Sequence, residues 1–279
     1  MAHIILGDRS LVAFSGPDAE HLLHNVVTCN VEALVAGVAQ IGALLTPQGK
    51  IMFDFLVSRN ENDDFIVEIA KENAPAFMQK MIMYRLRSKV EISESSESFV
   101  RISWSDESSS SNKGLRDTRF SKNVVMREYL DAGTITDRSE WDQLRIDNGV
   151  PESGRDYALG DAFPHDVSLD QNHGVDFQKG CYIGQEVVSR MHHRHTARRR
   201  LLIATCEGEL DTEAAITSGG KALGTVGTVV GNQALALCRI DRVEDATKSG
   251  SPILAGKAPI TLTIPPNVTY VWPSEASNG

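Results

Sequence analysis

The last third of the chain carries the strongest constraint on fold. After residue 196 the sequence breaks into short β-prone runs: Leu201 to Cys206, Lys221 to Leu223, Gly227 to Val230, Ala234 to Ile240 and Ile260 to Ile264. Glycines at 219, 220, 224, 227 and 231 and prolines at 252, 259, 265 and 266 separate them. Glycine inside such strands serves close bends as well as turns, so the pattern predicts a small antiparallel barrel of five or six strands. Residues 274 to 279 are expected to be disordered.

The first third reads differently. Leu11 to Phe14 is a short apolar run ending at Ser15-Gly16-Pro17-Asp18, where a strand hands over to a helix carrying Leu22, Leu23, Val26 and Val27. Ala39 to Thr46 and Ile51 to Ser58 read as strands joined by Pro47-Gln48-Gly49-Lys50, and a turn at Asn60 to Asp64 leads into Phe65 to Ala70. Residues 74 to 87 have helical spacing, and Lys89 to Ile92 reads as a further strand. Short turns and this order predict an α+β fold with helices on one face of an antiparallel sheet. Serines crowd residues 93 to 111 and predict a solvated loop. A helix is predicted over Asp137 to Asn148, with Ser139 as its cap and Gly149 as its terminator.

At 279 residues there is room for two or three domains, and 41% hydrophobic with 23% charged residues is an ordinary soluble composition without a long apolar span. Residues 1 to 9 have neither a signal-peptide nor a transit-peptide layout. Cysteines at 29, 181, 206 and 238 form no CxxC pair, so neither a zinc knuckle nor a disulfide framework is indicated. A reducing, cytoplasmic setting is the expectation.

Chemistry concentrates in Lys179-Gly180-Cys181-Tyr182-Ile183-Gly184-Gln185-Glu186. Two glycines bracket a thiol, and a cation precedes it. With Gly184 beside a helix N-cap, the dipole and Lys179 would both favour a Cys181 thiolate. The competing reading is a small buried apolar cysteine. The octapeptide resembles the signature of the YgfZ-type folate-binding proteins, relatives of the glycine-cleavage T-protein that work in iron–sulfur cluster biogenesis. A second stretch, Trp141 to Pro151, resembles the T-protein run whose acid holds the folate pteridine, and Asp147 falls on that acid. One carboxylate can accept both the ring N–H and the exocyclic amino group of a pterin. Taken alone, Asp147 reads first as a solvated helix-end acid, and it is the octapeptide downstream that turns the reading towards folate.

The similarity extends through residues 11 to 34, Leu45-Thr46-Pro47-Gln48-Gly49-Lys50 with Asp54, and on into the barrel. It implies a three-domain cloverleaf: residues 1–45 with 135–197 as a central folate-binding domain, 46–134 as a ferredoxin-like α+β domain, and 198–279 as the barrel. It also implies tetrahydrofolate as cofactor, lying between residues 141–151 and the central hairpin. Asp147, Arg145, Tyr182, Gln185, Glu186 and Asp54 are its implied contacts, with Cys181 and Lys179 as the reactive pair. One position departs from the family. T-proteins carry paired aspartates after the hairpin glycine, and here Phe53-Asp54 keeps only the second. Phe53 cannot relay a proton, and Asp54 on a strand points to the opposite face.

Residues 190 to 200 hold five arginines, three histidines and no acid in a chain of net charge −9. The run could attract nucleic acid, an anionic polyglutamyl tail or an acidic partner face, or serve as a solvated linker. No interleaved aromatics offer base stacking, so direct nucleic-acid binding is not expected. Neither is a metal site from His192, His193, His195 and Cys181, since adjacent histidines are awkward ligands for one ion. The function expected is a monomeric folate-binding accessory protein for iron–sulfur cluster assembly or repair. Its partners would be assembly proteins or client enzymes, and no membrane is implied. The alternatives are a folate-dependent aminomethyl or one-carbon transferase and a nucleic-acid partner linked to tRNA modification.

Overall fold

The computed structural model describes residues 2–97, 99–105, 114–194 and 196–276. The chain forms two compact units, Met1–Asp137 with Asn172–Val187, and Arg138–Gln171 with Val188–Gly279. The three-domain division implied by resemblance stands as a proposal beside this grouping.

In the first unit the strands are β1 (Ala2–Leu6), β2 (Arg9–Ser15), β3 (Val38–Leu45), β4 (Ile51–Arg59), β5 (Phe65–Ala70), β6 (Glu91–Glu94), β7 (Phe99–Ser105), β8 (Leu115–Asp117) and β9 (Val124–Leu130). Helix α1 (Ala19–Val26) follows β2, and α2 (Ala74–Arg85), with proline in its first turn, follows β5. Among the described residues the strands join in the order β1-β7-β9-β8-β3-β4-β5-β2-β6. The β3–β8 pair is parallel and the others are antiparallel. Strand period 2 divides β4: Ile51, Phe53 and Phe55 are buried while Met52 and Asp54 are half-buried on the other face. Phe77 of α2 lies edge-on to Phe14 and Phe53, with ring centroids 6.1 and 5.7 Å away.

The expected β2–α1 handover, the β3–β4 hairpin and the β4–β5 turn are all present. Gly49 closes the hairpin at φ +77, donating its N–H to the Thr46 carbonyl at 2.9 Å. Two expectations need correction. The interval 93–111 contains β7, in which Val100 and Ile102 are buried between Arg101 and Ser103, an alternation hidden by the serine-rich composition. The serine run itself, from residue 106, lies outside the described residues. Strand β6 starts two residues later than expected, because its pairing with Val12–Ser15 of β2 uses Glu91–Glu94.

A buried ionic cluster ties this unit together. Arg127 donates Nε to Glu68 at 2.7 Å, pairs a second time with that carboxylate, and reaches Asp117 at 3.1 Å. Arg9 and Arg119 complete the cluster on Glu68 and Asp117 at 2.9 and 2.6 Å. Charges so buried persist because each is paired and hydrogen-bonded.

The second unit contains α3 (Ser139–Asn148), the C-terminal part of α4 (Gln185–His193), and β10 (Arg199–Cys206), β11 (Ala215–Ser218), β12 (Lys221–Val230), β13 (Gln233–Arg239), β14 (Leu254–Ala255) and β15 (Ala258–Thr263). These strands close a barrel in the order β10-β13-β12-β11-β14-β15, with β10 paired to both β13 and β15. The two runs expected at 221–223 and 227–230 are one strand bent by a bulge between Val226 and Val229. Helix α5 (Ile240–Lys248), unforeseen, buries Ile240, Val243 and Ala246 in the barrel core. The cap of α3 is Arg138, with no side-chain cap bond, so Ser139 is the first helical residue rather than the cap. Gly149 does terminate α3, at φ +61. Pro273–Ala276 is a short helical turn in a stretch expected to be disordered; residues 277–279 lie outside the described range.

Candidate functional site

The octapeptide of the first unit hangs on an Asx-type turn. Asp176 Oδ1 accepts the backbone N–H groups of Gln178 and Lys179 at 2.7 and 3.0 Å, and its Oδ2 accepts Asn30 Nδ2 at 2.8 Å. Lys179 then turns inward. Its Nζ donates to the carbonyls of His24, Val27 and Cys29 at 2.5, 2.8 and 2.8 Å, all three ammonium protons being used. These carbonyls lie at and just beyond the C-terminus of α1, where a cation also meets the helix dipole. Burial draws the Lys179 amine down to about 8. Lys179 was expected to be catalytic beside Cys181. The structure makes it the anchor of the loop, with its charge committed to α1.

Cys181 is an exposed free thiol, whereas Cys29, Cys206 and Cys238 are buried. Burial pushes the Cys29 and Cys238 thiols up to about 11 and about 12. The glycines flanking Cys181 have different jobs. Gly180 has open space where a Cβ would stand. A Cβ on Gly184, at φ +79, would meet the Thr46 carbonyl oxygen at 2.6 Å. Helix α4 starts at Gln185, so Gly184 does precede a helix N-terminus as expected. Tyr182 is buried, its ring 5.5 Å from Lys179 Nζ, and among the described residues its hydroxyl has no hydrogen-bond partner. Gln185 is half-buried and Glu186 exposed.

In the second unit Asp147 is exposed near the end of α3, accepting Gln143 Nε2 at 2.8 Å, and that amide also donates to Gln233 Oε1 of β13 at 2.7 Å. Arg145, two residues away, is fully buried. Its Nε and one Nη2 proton go to Asp142 at 3.2 and 3.0 Å, the other Nη2 proton to Thr228 at 2.8 Å, and Nη1 to Asp156 and the Val150 carbonyl at 2.7 and 3.0 Å. All five guanidinium protons are thus consumed within the protein, which contradicts the expected folate contact by Arg145. Asp156, not anticipated from sequence, also accepts the Thr228 and Glu152 N–H groups at 2.7 and 2.8 Å. A single acid in a turn carries no motif that could have announced it.

The basic run is partly neutralised. Arg199 pairs with Asp161 and Asp166 at 2.7 and 2.9 Å, and Arg200 with Asp170 at 2.8 Å. Both begin strand β10 rather than a linker. His195, one of the histidines weighed as a ligand, lies outside the described residues. Among those described, no group of three or more His, Cys, Asp or Glu side chains is placed to hold a metal ion. No helix of the described chain is long and apolar enough to cross a membrane.

Residues 9–104 match the GCVT N-terminal domain family, and residues 198–270 match the CAF17 C-terminal β-barrel domain family. Similar proteins are described as mitochondrial homologs of the iron–sulfur cluster assembly factor IBA57. That of Neurospora crassa is 28% identical over 71% of this chain and 52% of its own length. That of Mycosarcoma maydis is 30% identical over 70% and 54%, and that of Pyricularia oryzae 27% over 90% and 75%. The chain spans about half the length of the first two. These relatives are described as mitochondrial, which overturns the cytoplasmic setting expected from cysteine usage and the N-terminal residues. A crystal structure of the glycine cleavage system aminomethyltransferase T from Bartonella henselae superposes with a TM-score of 0.71 at 14% identity, covering 94% of this chain and 84% of that one. The chain therefore has the fold of the glycine-cleavage T-protein, completed by a six-stranded C-terminal barrel of the CAF17 type.

Proposed function

We propose that this protein is an accessory factor for iron–sulfur cluster assembly or repair of the YgfZ type, with Cys181 as its reactive group. The observation that carries the reading is the contrast among thiols. Cys181 alone is exposed among four free cysteines, on a loop pinned at one end by Lys179 and at the other by Gly184. Pinning of this kind presents a thiol in one place instead of letting it sample many. The cluster, or sulfur in transit to it, is cargo in this reading. Similarity to proteins described as iron–sulfur cluster assembly factors supports it.

Tetrahydrofolate is the proposed cofactor, with Asp147 as the pterin-contacting acid. Asp147 suits that role because its carboxylate is exposed and, among the described residues, accepts an exchangeable amide contact from Gln143. Bound folate supplies a one-carbon carrier. Asp147 supplies orientation through paired hydrogen bonds.

The aminomethyltransferase reading draws support from the shared fold. Against it, Phe53 is part of the aromatic core around Phe77, leaving Asp54 as the one acid of that pair. Depletion of the protein from its own cells separates the two readings. Iron–sulfur enzyme activities should fall while the purified protein shows no turnover of an aminomethyl donor. Turnover with unchanged cluster enzymes would reverse the assignment.

A further inference from the structure

The outer face of α2 is apolar where a surface helix is ordinarily polar. Its inner face packs Ala74, Phe77 and Met81 into the core of the first unit. On the opposite side, at helical spacing, stand Pro75, Ala76, Gln79, Ile82, Met83 and the C-cap Leu86, all exposed. Gln79 is the one polar member. Ile82, Met83 and Leu86 are 46%, 60% and 85% exposed, gathered on the last turn of the helix and its cap. A contiguous patch of this sort marks a surface that something covers. Leu86 also has φ +48 and ψ −107, a conformation that costs a leucine on the order of 1–3 kcal/mol and projects it into water.

Charge indicates what covers it. Arg85, Arg87 and Lys89 gather at the C-terminal end of the stripe, and no acid falls in the sequence between Glu72 and Glu91, although the Asp18 carboxylate accepts the Lys89 backbone N–H at 2.6 Å. We propose that this face of α2 docks an α-helix of a partner protein whose own apolar stripe is flanked by carboxylates. Residues spaced three and four apart form ridges that pack between those of a second helix. Methionine with arginine is the composition of protein interfaces, and complementary charge sets register and encounter rate. A second copy of this chain would set like charges against each other. On a lipid surface Gln79 would interrupt the apolar face, and the stripe has no tryptophan or tyrosine for the membrane interface. A partner helix can pair with the Gln79 amide. The proposal is independent of the role given to Cys181.

The test titrates the full chain with two synthetic peptides sharing one leucine stripe at helical spacing, flanked by glutamates in the first and by lysines in the second. The glutamate peptide should bind saturably and at least tenfold tighter than the lysine peptide. Met83→Glu should weaken it at least tenfold, and the pair Arg87→Glu with Lys89→Glu should reverse the preference, with melting temperature and Cys181 labelling unchanged. No binding of either peptide, equal binding of both, or indifference to the substitutions overturns the proposal. Co-sedimentation with phosphatidylserine-containing vesicles that Met83→Glu abolishes would overturn it in favour of lipid. Dimerisation that Met83→Glu abolishes would overturn it in favour of self-association.

Discussion

Gly184 and Gly49 meet backbone to backbone: a side-chain carbon on Gly184 would stand 3.1 Å from the Gly49 Cα. Two motifs far apart in sequence, the β3–β4 turn and the cysteine octapeptide, are thereby locked through two residues without side chains. Gly49 would in turn bring a Cβ to 3.0 Å from that of Val187. Gly184→Ala would put a Cβ 2.6 Å from the Thr46 carbonyl oxygen at a φ of +79, and should cost roughly 1–3 kcal/mol of stability in denaturant unfolding. Gly180→Ala meets open space and should stay within about 0.5 kcal/mol of wild type. Equal effects of the two would mean the octapeptide is not held at Gly184.

The thiol contrast is measurable directly. Timed alkylation of the folded protein should modify Cys181 first and leave Cys29, Cys206 and Cys238 until unfolding. The Cys29 and Cys238 thiols are buried and shifted up to about 11 and about 12, and the Cys206 thiol donates to the Gly208 carbonyl at 2.8 Å. Labelling of Cys206 or Cys238 ahead of Cys181 would remove the basis for a reactive loop.

Asp147 and Arg145 should separate cleanly by calorimetry and unfolding. Asp147→Ala should weaken tetrahydrofolate binding by about 1.5–3 kcal/mol with little change in stability. Arg145→Met leaves the buried Asp156 carboxylate without its cation, while Asp142 keeps Arg138 and Arg155, and should destabilise the second unit by about 3–5 kcal/mol. An Arg145 variant of unchanged stability but lost folate binding would restore the ligand role that its burial denies.

Acid should weaken the second unit through His165. Burial lowers this imidazole from the ordinary 6.5 to about 4, opposed by Asp170 and reinforced by Arg200 and His192. Between those two values the unfolded chain takes up a proton that the folded chain refuses, so stability falls as pH drops from 6.5 towards 4. At about 1.4 kcal/mol per pH unit the full effect is about 3 kcal/mol. His165→Gln should flatten unfolding free energy against pH across that window. An unchanged slope would assign the acid sensitivity to other groups.

Local signals in the sequence carried much of this fold. The turn at Asn60 to Asp64, the terminator Gly149 and the glycine-punctuated barrel strands each announce themselves within a few residues, because turn chemistry is local. Strand β7 was hidden because serine-rich neighbours outweighed a short alternation of buried and open positions. The Glu68–Arg127–Asp117 cluster was illegible for another reason. It joins side chains up to 59 positions apart, and only the assembly of β5, β8 and β9 into one sheet brings them together. The site shows the same divide. Cys181 and Asp147 were marked by motif and do lie exposed, whereas the inward turn of Lys179 and the burial of Arg145 depend on partners such as Cys29 and Asp156 that no motif names.

The most direct measurement is complementation by a single-atom change. In cells lacking this protein, wild type should restore the activity of iron–sulfur enzymes, and Cys181→Ser, which replaces one sulfur by oxygen at an exposed position, should not. The variant should keep the wild-type melting temperature and tetrahydrofolate affinity. Full restoration of cluster enzyme activity by Cys181→Ser would contradict the account.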